Sequence, residues 1–276
     1  MPARGRSTSG NAWFSMTPSG LQSPPRGNCL SNPVPSPTDG WRVLDDELTC
    51  RTRCVIFDFD GPLCKLFGGY PAHEVARVMV GHLGELGLPV PAVDDLDDPH
   101  AILRATAAGH RAPGGAGSPA GPAVVELESR LTAEEVRAAA SAVPTPHADD
   151  LVRALAADGL TLAVASNNSP LAVERYLRSR GLAELFGRHI HGRRPDPSLM
   201  KPDPDSVRRV LQSTGINSAH CLMIGDAVSD HTAARRAGVP FLGFAPDDRR
   251  AEALRGAGVG GVLRSMEAVD QKLRYM

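Results

Sequence analysis

The feature that most constrains the fold of this chain is an alternation of two kinds of segment in its second half. Short apolar runs of strand length begin at residues 54 (CVIFD), 160 (LTLAVAS), 189 (HIHG), 221 (CLMIGD) and 241 (FLGFA). Between most of these runs lie segments whose apolar residues recur with the period of a helix and which end in glycine, as helix C-termini favour. Strands that are apolar on both faces and alternate with helices predict a parallel sheet covered by helices on both sides, an α/β fold with three layers.

The alternation is interrupted between residues 66 and 145. Three segments there, beginning near residues 71, 99 and 123, have helical period with no strand between them, and the stretch at 112–122 has the composition of a flexible surface loop. We therefore predict a helical domain at 66–145, inserted into a core domain formed by 49–65 and 146–276. Residues 1–48 show neither period and are largely rich in Pro, Gly and Ser, so we predict a disordered tail.

Composition restricts the possible partners of the chain. Its 276 residues include 30 Lys and Arg against 31 Asp and Glu, so no strong electrostatic field favours nucleic acid or an anionic membrane. No apolar stretch has the length of a membrane span, the first residues lack the apolar segment of a signal peptide, and the cysteines form no CxxC pair. We expect a soluble cytoplasmic protein, a monomer or homodimer, that binds neither nucleic acid nor membrane.

Polar residues cluster where the predicted strands end. In a parallel α/β sheet, ligands bind beyond the carboxyl ends of the strands. The polar residues expected at this edge are Asp58, Asp60, Ser166, Asn167, Lys201, Asp226 and Asp230. Converging carboxylates repel one another unless a cation lies among them, and a hard divalent ion such as Mg²⁺ suits oxygen ligands. A cation and a lysine at such a site can stabilise the charge that spreads over phosphoryl oxygens during phosphoryl transfer.

Four short motifs, in this order, resemble those of the haloacid dehalogenase (HAD) superfamily. They are DFDGPL from residue 58, VASNNS from 164, KPDP from 201 and GDAVSDHTAARRAG from 225. The fourth has the form typical of phosphatases of the phosphoglycolate phosphatase type, and the resemblance covers residues 54 to about 245. It implies a Rossmann-like α/β/α core with a small helical cap of the C1 type inserted after the first strand.

The resemblance also implies a role for each acidic residue. Asp58 would attack phosphorus and form an aspartyl-phosphate, and Asp60 would act as general acid and then general base. Mg²⁺ would be held by the Asp58 carboxylate, the Asp60 backbone carbonyl and Asp226. Asp230 would not bind the ion directly but would act through a metal-bound water or through Lys201.

Further residues are expected to contact the substrate. Ser166, Asn167 and Lys201 would bind the phosphoryl group. In the insertion, the residues that we consider for contact with the leaving group are Tyr70, His73, Glu74, Arg77 and Arg104. For each of them, a solvated helix face is the simpler interpretation.

These features predict a Mg²⁺-dependent phosphatase acting on a small phosphorylated metabolite. A phosphotransferase similar to β-phosphoglucomutase remains an alternative, although the fourth motif of that group usually reads Glu-Asp where this chain has Gly225-Asp226. A weakly active HAD scaffold with a binding or regulatory role is the second alternative.

Overall fold

The centre of the protein is a parallel sheet in the part of the chain that the structure, a computed structural model, describes, residues 46–109 and 121–274. In chain order the strands of these residues are β1 (Cys54–Phe57), β2 (Cys64–Lys65), β3 (Val143–Pro144), β4 (Thr161–Ala165), β5 (Ile190–His191), β6 (Cys221–Gly225), β7 (Phe241–Phe244) and β8 (Val262–Leu263). Six of them form one sheet in the order β5, β4, β1, β6, β7, β8, and every neighbouring pair is parallel. The predicted α/β fold class is therefore confirmed.

Helices cover both faces of this sheet. In chain order they are α1 (Asp46–Arg51), α2 (Ala72–Glu85), α3 (Pro99–Gly109), α4 (Pro122–Ala138), α5 (Ala148–Ala157), α6 (Pro170–Ser179), α7 (Ala183–Phe186), α8 (Asp205–Thr214), α9 (Val228–Arg236), α10 (Asp248–Gly256) and α11 (Met266–Arg274). Along β1, Val55 and Phe57 belong to the core shared with α5, α6 and α11, whereas Cys54 and Ile56 belong to the core shared with α8 and α9. All four side chains are fully buried, which explains why this strand is apolar throughout.

Helices α2, α3 and α4 occupy the predicted insertion between the first strand and the rest of the sheet. They enclose a small core, to which Met79, Leu103, Leu127 and Leu131 contribute together with Met200 from the segment after β5. The chain leaves the sheet through β2 and returns through β3, and these two short strands pair antiparallel with each other. The predicted limits of the insertion, 66–145, thus fall at the ends of this pair of strands.

Helix α1 begins before the predicted end of the N-terminal tail. The sequence assigns residues 46–48 to the tail at 1–48, but these residues start α1, and Leu48 packs into the main core. The Leu48 carbonyl accepts hydrogen bonds from the Thr52 amide (3.1 Å) and hydroxyl (2.7 Å). The rest of that tail, residues 1–45, and most of the loop expected at 112–122 lie outside the described residues.

Two further observations complete the architecture. The edge strand β8 pairs with β7, and its two residues are too few to show a period in the sequence. Within residues 46–109 and 121–274, no helix combines the length and the apolar character needed to cross a membrane.

A pair of histidines joins the edge of the sheet to α8. His189 Nδ1 and His191 Nε2 lie 2.9 and 2.7 Å from the Ser213 hydroxyl oxygen. Burial, with the charges of Arg209 and His189, lowers the pKa of His191 to about 4, while Asp205 opposes this shift. The imidazole of His191 is thus held in its neutral form.

We expect His191 to make the protein less stable as the pH falls below about 6.5. The unfolded chain protonates this residue near its ordinary pKa whereas the folded chain resists until about pH 4, so in this window the unfolded state binds more protons. His191→Gln should therefore lose less stability than the wild type between about pH 6.5 and pH 4, by up to about 3 kcal/mol. Urea denaturation of both proteins across this range measures the difference, and parallel pH profiles would contradict the assignment.

Candidate active site

The first two acids of the site are placed by the end of β1. Phe59, between them, is fully buried and packs edge-on against Tyr176 with ring centroids 5.4 Å apart. Because side chains alternate along an extended chain, Asp58 and Asp60 point away from this core. Asp60 Oδ1 accepts a hydrogen bond from the Leu66 amide at 2.8 Å, and burial raises the pKa of Asp60 above its ordinary value.

Lys201 lies at the centre of the site and is buried. Its Nζ is 2.7 Å from Asp58 Oδ1 and 2.6 Å from Asp230 Oδ1, and it donates to the Ala165 carbonyl at 3.0 Å. These three acceptors fix the position of the ammonium group. Burial disfavours its charge, but Asp230 and Asp58 together raise the pKa of Lys201 above its ordinary value. Lys201 is therefore a fixed cation that links the ends of β1 and β4 to α9.

Three carboxylates surround a small volume beside this lysine. One oxygen from each of Asp58, Asp226 and Asp230 lies within 4.8 Å of the other two. Burial and the charges of Asp230 and Asp58 raise the pKa of Asp226 to about 8. Burial and Asp230 likewise raise the pKa of Asp58, against the effect of Lys201. A hard divalent cation would relieve this excess of negative charge, so the donor set fits Mg²⁺.

Arg250, at the start of α10, is a second cation at the carboxylates that sequence reasoning missed. Its Nε lies 3.0 Å from Asp226 Oδ2, and it also pairs with Asp247, the N-cap of the same helix. The side chain is half exposed. No pattern in the sequence distinguishes Arg250 from the adjacent Arg249.

Two glycines allow the backbone to lie directly against the carboxylates. Gly61 has φ +116°, and a Cβ there would lie 2.4 Å from Asp226 Oδ2. A Cβ on Gly225 would lie 2.6 Å from Asp230 Oδ2. A side chain at either position would therefore displace an acid of the site.

The loop after β4 contains the predicted phosphate-binding residues. The buried Ser166 hydroxyl donates to Asn168 Oδ1 and accepts from the Asn168 amide, both at 3.1 Å. Asn167 Oδ1 accepts from the Lys201 amide at 2.7 Å, and its Nδ2 donates to the Lys201 carbonyl at 3.2 Å. The Asn167 side chain thus orients the Lys201 segment. Phosphate binding by Ser166 and Asn167 stays a prediction.

Two of the residues considered for the leaving group contact other residues of the insertion. Tyr70 donates to Glu134 at 3.0 Å and Arg104 pairs with Asp98, and these contacts lie within the insertion. The insertion meets the loop after β4 through Glu135, which bonds Asn168 and Ser169. Glu135 and His100 also contact Arg193 after β5.

A pattern in the sequence indicates that Glu135 is buried. Glu135 follows Leu127 and Leu131 at intervals of four residues, which places it on the buried face of α4. A charged residue at such a position is buried only when it is paired.

We expect Lys201→Met to destabilise the protein by about 3–5 kcal/mol, because it leaves Asp58 and Asp230 buried without their cation. The matched control is Lys65→Met, since Lys65 is exposed, and its effect should stay within about 0.5 kcal/mol. Urea unfolding without divalent ions measures both free energies. A loss below about 1 kcal/mol for Lys201→Met would contradict the central role of this lysine.

The known proteins that this chain resembles are hydrolases and phosphatases. A model of the haloacid dehalogenase-like hydrolase family matches residues 52–238, more than half of the chain. Phosphoglycolate phosphatase of Rhodospirillum rubrum is 36% identical over 97 residues, which are 35% of this chain and 39% of that protein. The match therefore spans well under half of that relative's length.

Two solved structures share the fold of most of this chain. A predicted phosphatase from Clostridium acetobutylicum superposes with a TM-score of 0.59 at 20% identity, over 82% of this chain and 99% of that one, and shows the same fold. A HAD family hydrolase from Deinococcus radiodurans, with bound phosphate and sodium, is 27% identical with a TM-score of 0.51, over 81% and 95% of the two chains. This protein, as its four motifs predicted, belongs to the haloacid dehalogenase-like hydrolase family.

Proposed function

We propose that this protein is a Mg²⁺-dependent phosphatase that hydrolyses a small-molecule phosphomonoester through an aspartyl-phosphate on Asp58. The observation that carries the proposal is the contact of 2.7 Å between Asp58 Oδ1 and Lys201 Nζ, within reach of Asp226 and Asp230 at the carboxyl ends of the strands. Support comes from the Rhodospirillum rubrum relative, which is a phosphoglycolate phosphatase, and from the phosphate held by the Deinococcus radiodurans hydrolase.

In the first half of the reaction Asp58 is the nucleophile. A carboxylate oxygen of Asp58 bonds to phosphorus while the bond from phosphorus to the leaving-group oxygen breaks. That oxygen takes the proton of Asp60, and the burial that raises the pKa of Asp60 favours the protonated form this step needs. The Lys201 ammonium, fixed beside Asp58, stabilises negative charge on the phosphoryl oxygens.

In the second half Asp60 is the general base. Its carboxylate takes a proton from water as the water oxygen bonds to phosphorus and the bond from phosphorus to Asp58 breaks. Inorganic phosphate leaves, and both carboxyl groups return to their initial protonation states.

The Asp58 and Asp226 carboxylates, with the Asp60 backbone carbonyl, are the residues that would hold Mg²⁺. The bound ion supplies positive charge that polarises the phosphoryl group. Asp230 acts on Lys201, which it contacts at 2.6 Å, and so keeps the ammonium directed at the reaction centre.

The helices of the insertion, α2 to α4, serve in this proposal as a cap domain that excludes water and selects the leaving group. Gly225 favours the phosphatase over the alternative phosphotransferase. A Cβ at this position lies 2.6 Å from Asp230 Oδ2, so the glutamate usual in β-phosphoglucomutase-like enzymes does not fit beside Asp230 as it is placed here.

Hydrolysis of an aryl phosphate with and without Mg²⁺ tests the proposal. Asp58→Asn should lower kcat by more than about 10³-fold, because the nucleophile is lost. Asp150→Asn, a change at an exposed aspartate, is the control and should keep the wild-type rate. EDTA should abolish turnover and added Mg²⁺ should restore it. Equal rates for the wild type and Asp58→Asn across a broad panel of metabolite phosphates would contradict the proposed phosphatase activity.

Gly61→Ala should lower kcat by roughly 100-fold, because its methyl group would displace the Asp226 carboxylate. Gly87→Ala is the matched control, since Gly87 also has positive φ (+68°) but a Cβ there meets no atom within 4 Å. The control should lose about 1 kcal/mol of stability from backbone strain and keep its kcat. Equal rates for the two variants would show that Asp226 tolerates displacement.

A further inference from the structure

A buried ion pair joins the inserted helices to the segment after β5, outside the carboxylate site. Glu135 of α4 binds Arg193 through two hydrogen bonds, NH1 to Oε1 at 2.8 Å and NH2 to Oε2 at 3.0 Å. Neither side chain is exposed. Although burial opposes its ionisation, Arg193 and His100 lower the pKa of Glu135 to about 2, so the carboxylate is charged at neutral pH.

Arg193 has no donor left for a substrate. Besides its two bonds to Glu135, its Nε donates to Glu128 at 3.1 Å, NH2 donates to the Thr132 hydroxyl at 3.1 Å, and NH1 donates to the Asn167 carbonyl at 2.9 Å. These bonds use all five N–H groups of a guanidinium. The charge of Arg193 therefore serves the protein's own geometry rather than ligand binding.

Glu135 holds the start of α6. Its Oε2 accepts from the backbone amide of Ser169, the N-cap residue, at 2.8 Å. Its Oε1 accepts from Asn168 Nδ2 at 3.1 Å and lies 2.8 Å from His100 Nε2. A carboxylate is favoured at a helix N-terminus by the unpaired amides and the helix dipole. A residue of the insertion thus fixes two consecutive residues of the loop after β4.

This contact continues to the predicted phosphate-binding groups. Because Asn168 Nδ2 faces Glu135, its Oδ1 faces the Ser166 hydroxyl, at 3.1 Å. Arg193 holds the loop from the other side, through the carbonyls of Asn167 (2.9 Å) and Asn168 (2.8 Å, from the Arg193 amide). The Asn167 side chain in turn bonds the Lys201 backbone on both its N–H and its C=O.

We propose that Glu135 and Arg193 are positioning residues for phosphate binding, acting through Asn168 on Ser166 and through Asn167 on Lys201. This inference rests on the proposed function, since it concerns the same phosphate site. An ion pair that only stabilised the fold would change the unfolding free energy without changing the affinity of the folded protein for phosphate.

Glu135→Gln changes the charge with little change in shape. A carboxamide has one accepting oxygen, so its NH₂ group must face a donor, at Ser169, Asn168 or Arg193. We expect the dissociation constant of inorganic phosphate, measured by titration calorimetry with Mg²⁺ present, to rise about tenfold. For an aryl phosphate, KM should rise with kcat changed less, because Glu135 does not contact the Asp58 nucleophile.

Asn168→Ala removes the link to Ser166 and leaves the ion pair in place. It should weaken phosphate binding by a similar factor, about tenfold. Since both changes break the same connection, the double variant should bind about as weakly as either single variant rather than about 100-fold more weakly than the wild type. If Glu135→Gln fails to fold, Arg193→Lys, which keeps the charge and loses the two-bond geometry, takes its place in the same comparison.

Thr132→Val is the matched control within the same cluster. It removes a hydrogen bond to Arg193 on the side away from the loop, so it should lower stability slightly and leave phosphate affinity within about twofold of the wild type. Thermal unfolding of every variant separates loss of fold from loss of affinity.

The two proposals fail in different ways. An absence of Mg²⁺-dependent turnover in the wild type overturns the proposed function. Wild-type turnover combined with unchanged phosphate affinity in folded Glu135→Gln and Asn168→Ala overturns the positioning role alone. Affinity losses that multiply in the double variant also overturn it, because they would show that the two residues act independently.

Discussion

The buried ammonium of Lys201 is the interaction on which the arrangement of the candidate site depends. It bonds Asp58 after β1, the Ala165 carbonyl at the end of β4 and Asp230 in the helix after β6. These three strands are neighbours at the centre of the sheet, and parallel pairing brings their carboxyl ends to one edge. The parallel sheet therefore brings these side chains together at one edge.

Two buried clusters of charged residues in this protein differ in how completely their charges are paired. Around Lys201, three carboxylates face one lysine and the half-exposed Arg250, and the pKa of Asp226 is raised to about 8. Around Arg193, every guanidinium donor has a protein acceptor, and the pKa of Glu135 is lowered to about 2. The carboxylates around Lys201 keep an excess of negative charge that a cation would relieve, whereas the fully hydrogen-bonded cluster around Arg193 is suited to hold a fixed geometry.

The sequence predicted the parts of the molecule that follow from local pattern. The buried strands are apolar, the glycines end helices, and Asp58, Ser166 and Asp226 were assigned to the site because each follows a strand. Arg193 could not be assigned in this way. It stands next to Arg194, which is half exposed and pairs with Asp205, and nothing in HGRR tells the two apart. Arg193 meets Glu135 across 58 residues of sequence, and only the packing of α4 on α6 brings them together.

The packing of α4 on α6 also connects the insertion to the domain that contains the sheet. By chain order α4 belongs with α2 and α3, and it shares their small core. By its polar contacts α4 belongs with the loop after β4, since Glu135 bonds both Asn168 and Ser169. Moving α4 away from the sheet would break the bonds of Arg193 to Glu128, Thr132 and Glu135 together. These contacts connect α4 to the loop that carries the predicted phosphate-binding residues, beyond the limits of the insertion in sequence.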